Sequence, residues 1–137
     1  MIRVLVGLVT AALAVNVSVA ATFSGASKHK HYRVRVVPQC FTGGCMHATS
    51  VEVQVTTGSA AHPAASCVYG TFQLPNAKLR RDGRFTATGQ ASTVTTTFTL
   101  KVSGVFTSAH RLHGTVLGPA DCGGSDSFHL TATPVGG

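Results

Sequence analysis

Seven histidines, at positions 29, 31, 47, 62, 110, 113 and 129, are the residues of this 137-residue chain best suited to chemistry. Imidazole can bind a transition metal, relay a proton or carry positive charge in mild acid. His113 and His129 fall on the outward phase of two successive alternating segments, which places them on neighbouring strands. A symmetric connecting loop would set His113 opposite Thr131 and His129 opposite Thr115, with the rings diagonal at roughly 7 Å. A metal held there would need a third ligand, and His110 does not stand at the helical i, i+4 spacing of zinc proteases. Separate solvated imidazoles are the expectation, with no metal site and no cofactor.

Acid chemistry has little to work with, because the chain holds only four carboxylates besides its terminus: Glu52, Asp82, Asp121 and Asp126. Asp82 belongs to an Asp-Gly turn, and Asp121 and Asp126 flank a glycine loop in which Asp is a common turn residue. Gly123-Gly124-Ser125-Asp126-Ser127 is neither G-x-S-x-G nor placed between a strand and a helix, so it reads as a structural loop. No catalytic residue is expected, and the chain reads as a non-enzyme.

Positive charge is abundant by contrast, eleven Lys plus Arg giving a net +7 with histidine neutral. It gathers in two groups. Lys28, Lys30, Arg33 and Arg35 lie near the start, and Lys78, Arg80, Arg81 and Arg84 surround Asp82-Gly83. The second group is the candidate anion-binding site, suited to wall polymers, acidic polysaccharide, lipopolysaccharide or extracellular nucleic acid. Edge protection by charge is the competing account of the same residues. Specific nucleic-acid recognition is not expected, since two tyrosines and no tryptophan leave little for base stacking.

The elements that must position these residues are strands. Tyr32, Val34 and Val36 alternate with Arg33 and Arg35, and Val51, Val53 and Val55 alternate with Glu52 and Gln54. Val68 to Leu74 alternates until Pro75-Asn76, where a break is expected. Asp82-Gly83 then predicts a tight hairpin over residues 75–88. The longest alternation runs from Thr93 to Thr107, with Val94, Phe98, Leu100, Val102 and Phe106 inward and a bend expected at Gly104. Leu112 and Val116, then Phe128, Leu130 and Ala132, supply the inward faces of two more strands. Threonines at 95, 97, 99, 115, 131 and 133 line the outward faces and suit an exposed sheet. The fold class is all-β: an antiparallel sandwich or small barrel of seven to eight strands.

Arg3 followed by the apolar run Val4–Val15 and the small residues Ser18 and Ala20 has the layout of a signal peptide, residues 1–20, cut before Ala21. A membrane anchor over Val4–Phe23 is the rival, weakened by Asn16, Ser18 and Thr22. After removal of the signal no membrane span is expected, and the protein should be secreted. Residues 21–30 show no periodicity and read as a flexible leader, which leaves 31–137 as a single β domain. Four cysteines in an oxidising compartment read as two disulfides, of which Cys40–Cys45 and Cys67–Cys122 are favoured among three pairings.

The run Asp82-Gly83-Arg84-Phe85, Val102-Ser103-Gly104-Val105-Phe106, Gly114-Thr115-Val116, Cys122 and Thr131-Ala132-Thr133 resembles a loose group of small secreted β proteins common in actinobacteria, mostly of unassigned function. The resemblance covers about residues 67–133. It implies an extracellular β fold and transfers no catalytic residue. The tryptophan associated with the last strand of that group is absent here.

The expected function is that of a secreted, non-enzymatic binding module for an anionic extracellular surface or polymer. The alternative is an inhibitor of a secreted hydrolase, inserting the loop closed by Cys40 and Cys45, since a pre-ordered loop loses little entropy on binding. An enzyme using histidine chemistry ranks last.

Overall fold

The computed structural model describes residues 17, 21–40, 47–58, 67–94 and 96–133. Eight strands account for most of these: β1 (Thr22–Ala26), β2 (Tyr32–Gln39), β3 (Ser50–Thr57), β4 (Gly70–Lys78), β5 (Arg84–Ser92), β6 (Thr97–Ser108), β7 (Arg111–Leu117) and β8 (Ser125–Thr133). A single 3-10 turn, Ala120–Cys122, lies between β7 and β8. Among the described residues no helix is long and apolar enough to cross a membrane.

All pairings are antiparallel, and the hydrogen-bonded order is β4-β3-β2-β1-β8-β7-β6-β5. The chain thus winds as a meander in which the first and last strands, β1 and β8, pair, while the edge strands of the sheet, β4 and β5, come together without a ladder. Between sandwich and barrel, the fold is a nearly closed barrel. At the seam β4 and β5 approach so closely that a Cβ on Gly89 would lie 2.8 Å from Pro75 Cδ, which only glycine permits. Phe72 of β4 and Phe98 of β6 pack edge to face beside it, with ring centroids 5.4 Å apart.

Alternation fills the interior. Phe23, Val36, Val53, Val55, Leu100, Val102, Phe106 and Val116 are all completely buried, and such side chains each contribute about 1.5–3 kcal/mol on leaving water. Phe106 sits at the centre, edge to face with Phe23 at 5.0 Å and tilted against Phe85 at 5.7 Å. Side chains fill the lumen, as expected for eight strands.

Several sequence expectations need correction. Residues 21–30 are not a flexible leader: 22–26 form β1, which buries Phe23 and joins β2 to β8. The inward positions of β1 are Phe23 and Gly25, so only one large apolar residue marks its phase. Pro75-Asn76 does not end its strand, because β4 lies at the sheet edge, where proline costs no ladder bond on its open side. Instead the register shifts there, so that Val53 faces Leu74 and Val51 faces Ala77, and both Leu74 and Ala77 point inward. The tight turn at Asp82-Gly83 forms, with Gly83 at φ 85° and Gly83 N–H donating to Arg80 O at 2.9 Å. Its flanking strands, however, do not pair with each other. The long alternation begins at Thr97 rather than Thr93; Val94 is fully exposed in the β5–β6 turn. The β6–β7 register is unbroken through Gly104 and shifts between Phe106 and Ser108.

One complete disulfide lies within the described residues. Cys67 and Cys122 are bonded with their Cα atoms 4.9 Å apart, joining the approach to β4 to the 3-10 turn. Cys40 is also disulfide-bonded, and Cys45, its expected partner, lies outside the described residues. So do residues 1–16 and 18–20 of the expected signal peptide and the 41–44 loop of the inhibitor reading.

Candidate anion-binding face

In a meander barrel alternate turns share an end, so the 80–84 turn sits beside the β6–β7 turn. The 80–84 turn is pinned by Arg80 N–H donating to Arg84 O at 2.9 Å and Phe106 N–H donating to Gly83 O at 2.9 Å. Asp82 caps it locally, accepting from the Arg84 N–H at 3.1 Å and lying 3.6 Å from Arg84 Nε. Both side chains are well exposed, so that ion pair is weak.

This end carries an open groove of about 500 Å³ lined by Lys78, Arg80, Arg84, Thr86, Ser103 and His113, among others. Three of the four expected anion-site residues therefore converge. Arg81 is exposed in the turn and does not line the groove. Thr86, Ser103 and His113 join them without having been expected from sequence. Gly104 and Gly114 face each other beneath them, and their inward space is taken by the Phe85 and Phe128 rings. No carboxylate lines the groove.

Register extends the face further. Arg84 pairs with Val105, Val105 with His113 and His113 with His129, making one outward row across β5, β6, β7 and β8. His113 and His129 are directly opposed rather than diagonal, and their rings stack with centroids 5.4 Å apart and planes 28° apart. The β7–β8 loop is not symmetric in the way assumed from sequence, and the register differs by two residues while keeping the same face. A second groove of about 370 Å³ opens beyond the row, lined by Thr107, Arg111, His113, His129 and Thr131 with two core leucines. It too has no carboxylate. His113 borders both grooves.

Glu52 and Asp126 are engaged elsewhere. Glu52 accepts from Gln39 Nε2 at 3.0 Å. Asp126, expected in a loop turn, is instead an inward residue of β8 and only 3% exposed. Its carboxylate accepts from His29 N–H at 3.0 and 3.3 Å and also bonds the Ser27 hydroxyl and His31 N–H. Burial pushes this carboxyl up, but those hydrogen bonds and the nearby His29 ring outweigh it and hold it below the usual range. Tyr32 completes this plug, donating from its hydroxyl to Gly124 O at 2.6 Å. Burial first, then the Asp126 charge, raises the phenol, and a hydrogen bond from Gly118 opposes them. Asp126 was legible as the inward position two residues before Phe128, had that phase been extended.

No family model, curated protein or solved structure matches the chain. Among the described residues no group of three or more His, Cys, Asp or Glu could hold a metal ion. The function must be read from the face itself.

Proposed function

We propose that the protein is a secreted, non-enzymatic module that binds an anionic extracellular polymer or surface through the groove at the 80–84 turn. The observation that carries this reading is the convergence of Lys78, Arg80, Arg84 and His113 with the hydroxyls of Thr86 and Ser103 on one open groove that lacks a carboxylate. Edge protection alone would require cations spaced along β4 and β5 and would not require a partner from β7. An open depression lined by several cations suits a chain molecule, which can place successive anions against them. The disulfide Cys67–Cys122 is compatible with an extracellular setting, where such bonds persist. The signal-peptide layout of residues 1–20 and the resemblance to small secreted β proteins support the same setting.

The test is retention on anionic and neutral polysaccharide columns across a salt gradient. The wild-type protein should be held on the anionic column and released by salt. Lys78→Ala/Arg80→Ala/Arg84→Ala should elute early, and Arg81→Ala close to wild type. Passage of the wild type through both columns at low salt would reject the reading.

A further inference from the structure

The second groove and the histidine row go beyond the turn site. We infer that the stacked His113–His129 pair is a pH-gated anion subsite, which joins the two grooves into a single track for an anionic polysaccharide. The inference rests on the function proposed above and assigns a site beyond it.

Geometry makes the connection. His113 belongs to both grooves, and Arg84, Val105, His113 and His129 are aligned by strand register. A polymer lying in the first groove and continuing into the second passes His113, which borders both, and there meets His129 and Arg111. Two uncharged imidazoles can stack at 5.4 Å, whereas two imidazolium ions at that distance repel each other. An anion placed across the rings removes the repulsion, so ligand and proton bind together.

The groups facing the pair favour this coupling. Arg84 lies in the same row on β5, two strands from His113, Arg111 lies on β7 in the groove with both histidines, and Val105 and Thr107 of β6 are uncharged. Ser127 and Thr131 flank His129 on β8. From the neighbouring turns come Lys28, whose N–H donates to Ser127 O at 2.7 Å, and His110, whose carbonyl accepts from Ala132 N–H at 2.8 Å. Asp82 is engaged by Arg84 at 3.6 Å, and Asp126 faces inward beneath its own hydrogen bonds. The pair thus has cationic neighbours, and the ligand supplies the countercharge.

The test is calorimetric titration of the full protein with heparin, whose sulfate esters stay ionised throughout, at about pH 8 and about pH 5.5. Affinity should rise about tenfold or more in acid, the gain expected when the bound anion strengthens proton binding at one imidazole by that same factor. Buffers of different ionisation enthalpy should report proton uptake. His129→Asn, which leaves the lining of the first groove intact, should keep the affinity at the higher pH and lose most of the acid gain. His129→Arg, a permanent cation, should show a smaller pH dependence and decides the matter if the Asn variant does not fold. An undiminished acid gain in the variants, or none in the wild type, would overturn the inference. Binding at the higher pH that is insensitive to Lys78→Ala/Arg80→Ala/Arg84→Ala would overturn the turn site instead, so the two failures are separable.

Discussion

His113 and His129 lie directly opposite each other on β7 and β8, their rings stacked with centroids 5.4 Å apart, on the outer surface of a barrel whose charged neighbours there are arginines. The pairing follows from a register in which Arg111 meets Thr131 and Leu117 meets Ser125. The connection between these strands includes the 3-10 turn and the bonded Cys122, so the disulfide and the histidine face belong to one loop-defined alignment.

Breaking the Cys67–Cys122 bond should lower stability. Its 55-residue separation corresponds to roughly 4 kcal/mol of unfolded-chain entropy in the loop-closure model. Cys67→Ser/Cys122→Ser, compared with wild type by urea denaturation, should show a loss of stability of that order. A loss below about 1 kcal/mol would mean that the closed loop is already ordered in the unfolded chain.

Asp126→Asn should remove the charged acceptor that gathers Ser27, His29 and His31, at a cost of about 2 kcal/mol at neutral pH. Because the carboxyl is held below its ordinary range in the folded state, its contribution is fully present above about pH 4 and is lost as pH falls toward the folded-state value. Thermal melts of wild type and variant should therefore differ most at neutral pH and converge in strong acid. A constant gap down to about pH 2 would contradict a charge-based role.

Phe106 touches both Phe23 and Phe85 at the barrel centre and is fully buried. Phe106→Ala should cost about 3–5 kcal/mol, since the surrounding strands cannot collapse into the space. Chemical denaturation would measure this loss, while Val94→Ser, at an exposed turn position, should change stability by less than about 0.5 kcal/mol.

Gly114 cannot accept a side chain without displacement, because a Cβ there would meet the backbone of Ser103 and Gly104 as well as the Phe128 ring. Gly114→Ala should destabilise by at least about 1–3 kcal/mol through overpacking. It should also disturb the groove above it. Denaturation and heparin titration of the same variant would show whether stability and binding fall together.

Much of the fold was legible in the sequence. Val34 and Val36, Val51 to Val55, and Leu100 and Val102 declared their inward phase because a strand's side chains alternate with a period of two. Asp82-Gly83 declared its turn, and the Cys67–Cys122 pairing was the favoured one for Cys67. The candidate site was legible in part: Lys78, Arg80 and Arg84 stood out by charge and phase. Their groove-mates Thr86, Ser103 and His113 did not, because membership depends on which strands lie side by side. β1 escaped notice since its burial of Phe23 depends on partners far along the chain.

By itself the sequence determined that this is an alternating, antiparallel β chain, strongly basic and poor in carboxylates, because periodicity and charge are local properties. The tertiary structure decided that the sheet closes into a barrel, since closure depends on the β1–β8 pairing and the seam between Pro75 and Gly89. It also decided that His113 meets His129. A register two residues away would have satisfied the same hydrophobic pattern, and only the loop ending at Ser125 and the packing of its strands distinguish the two.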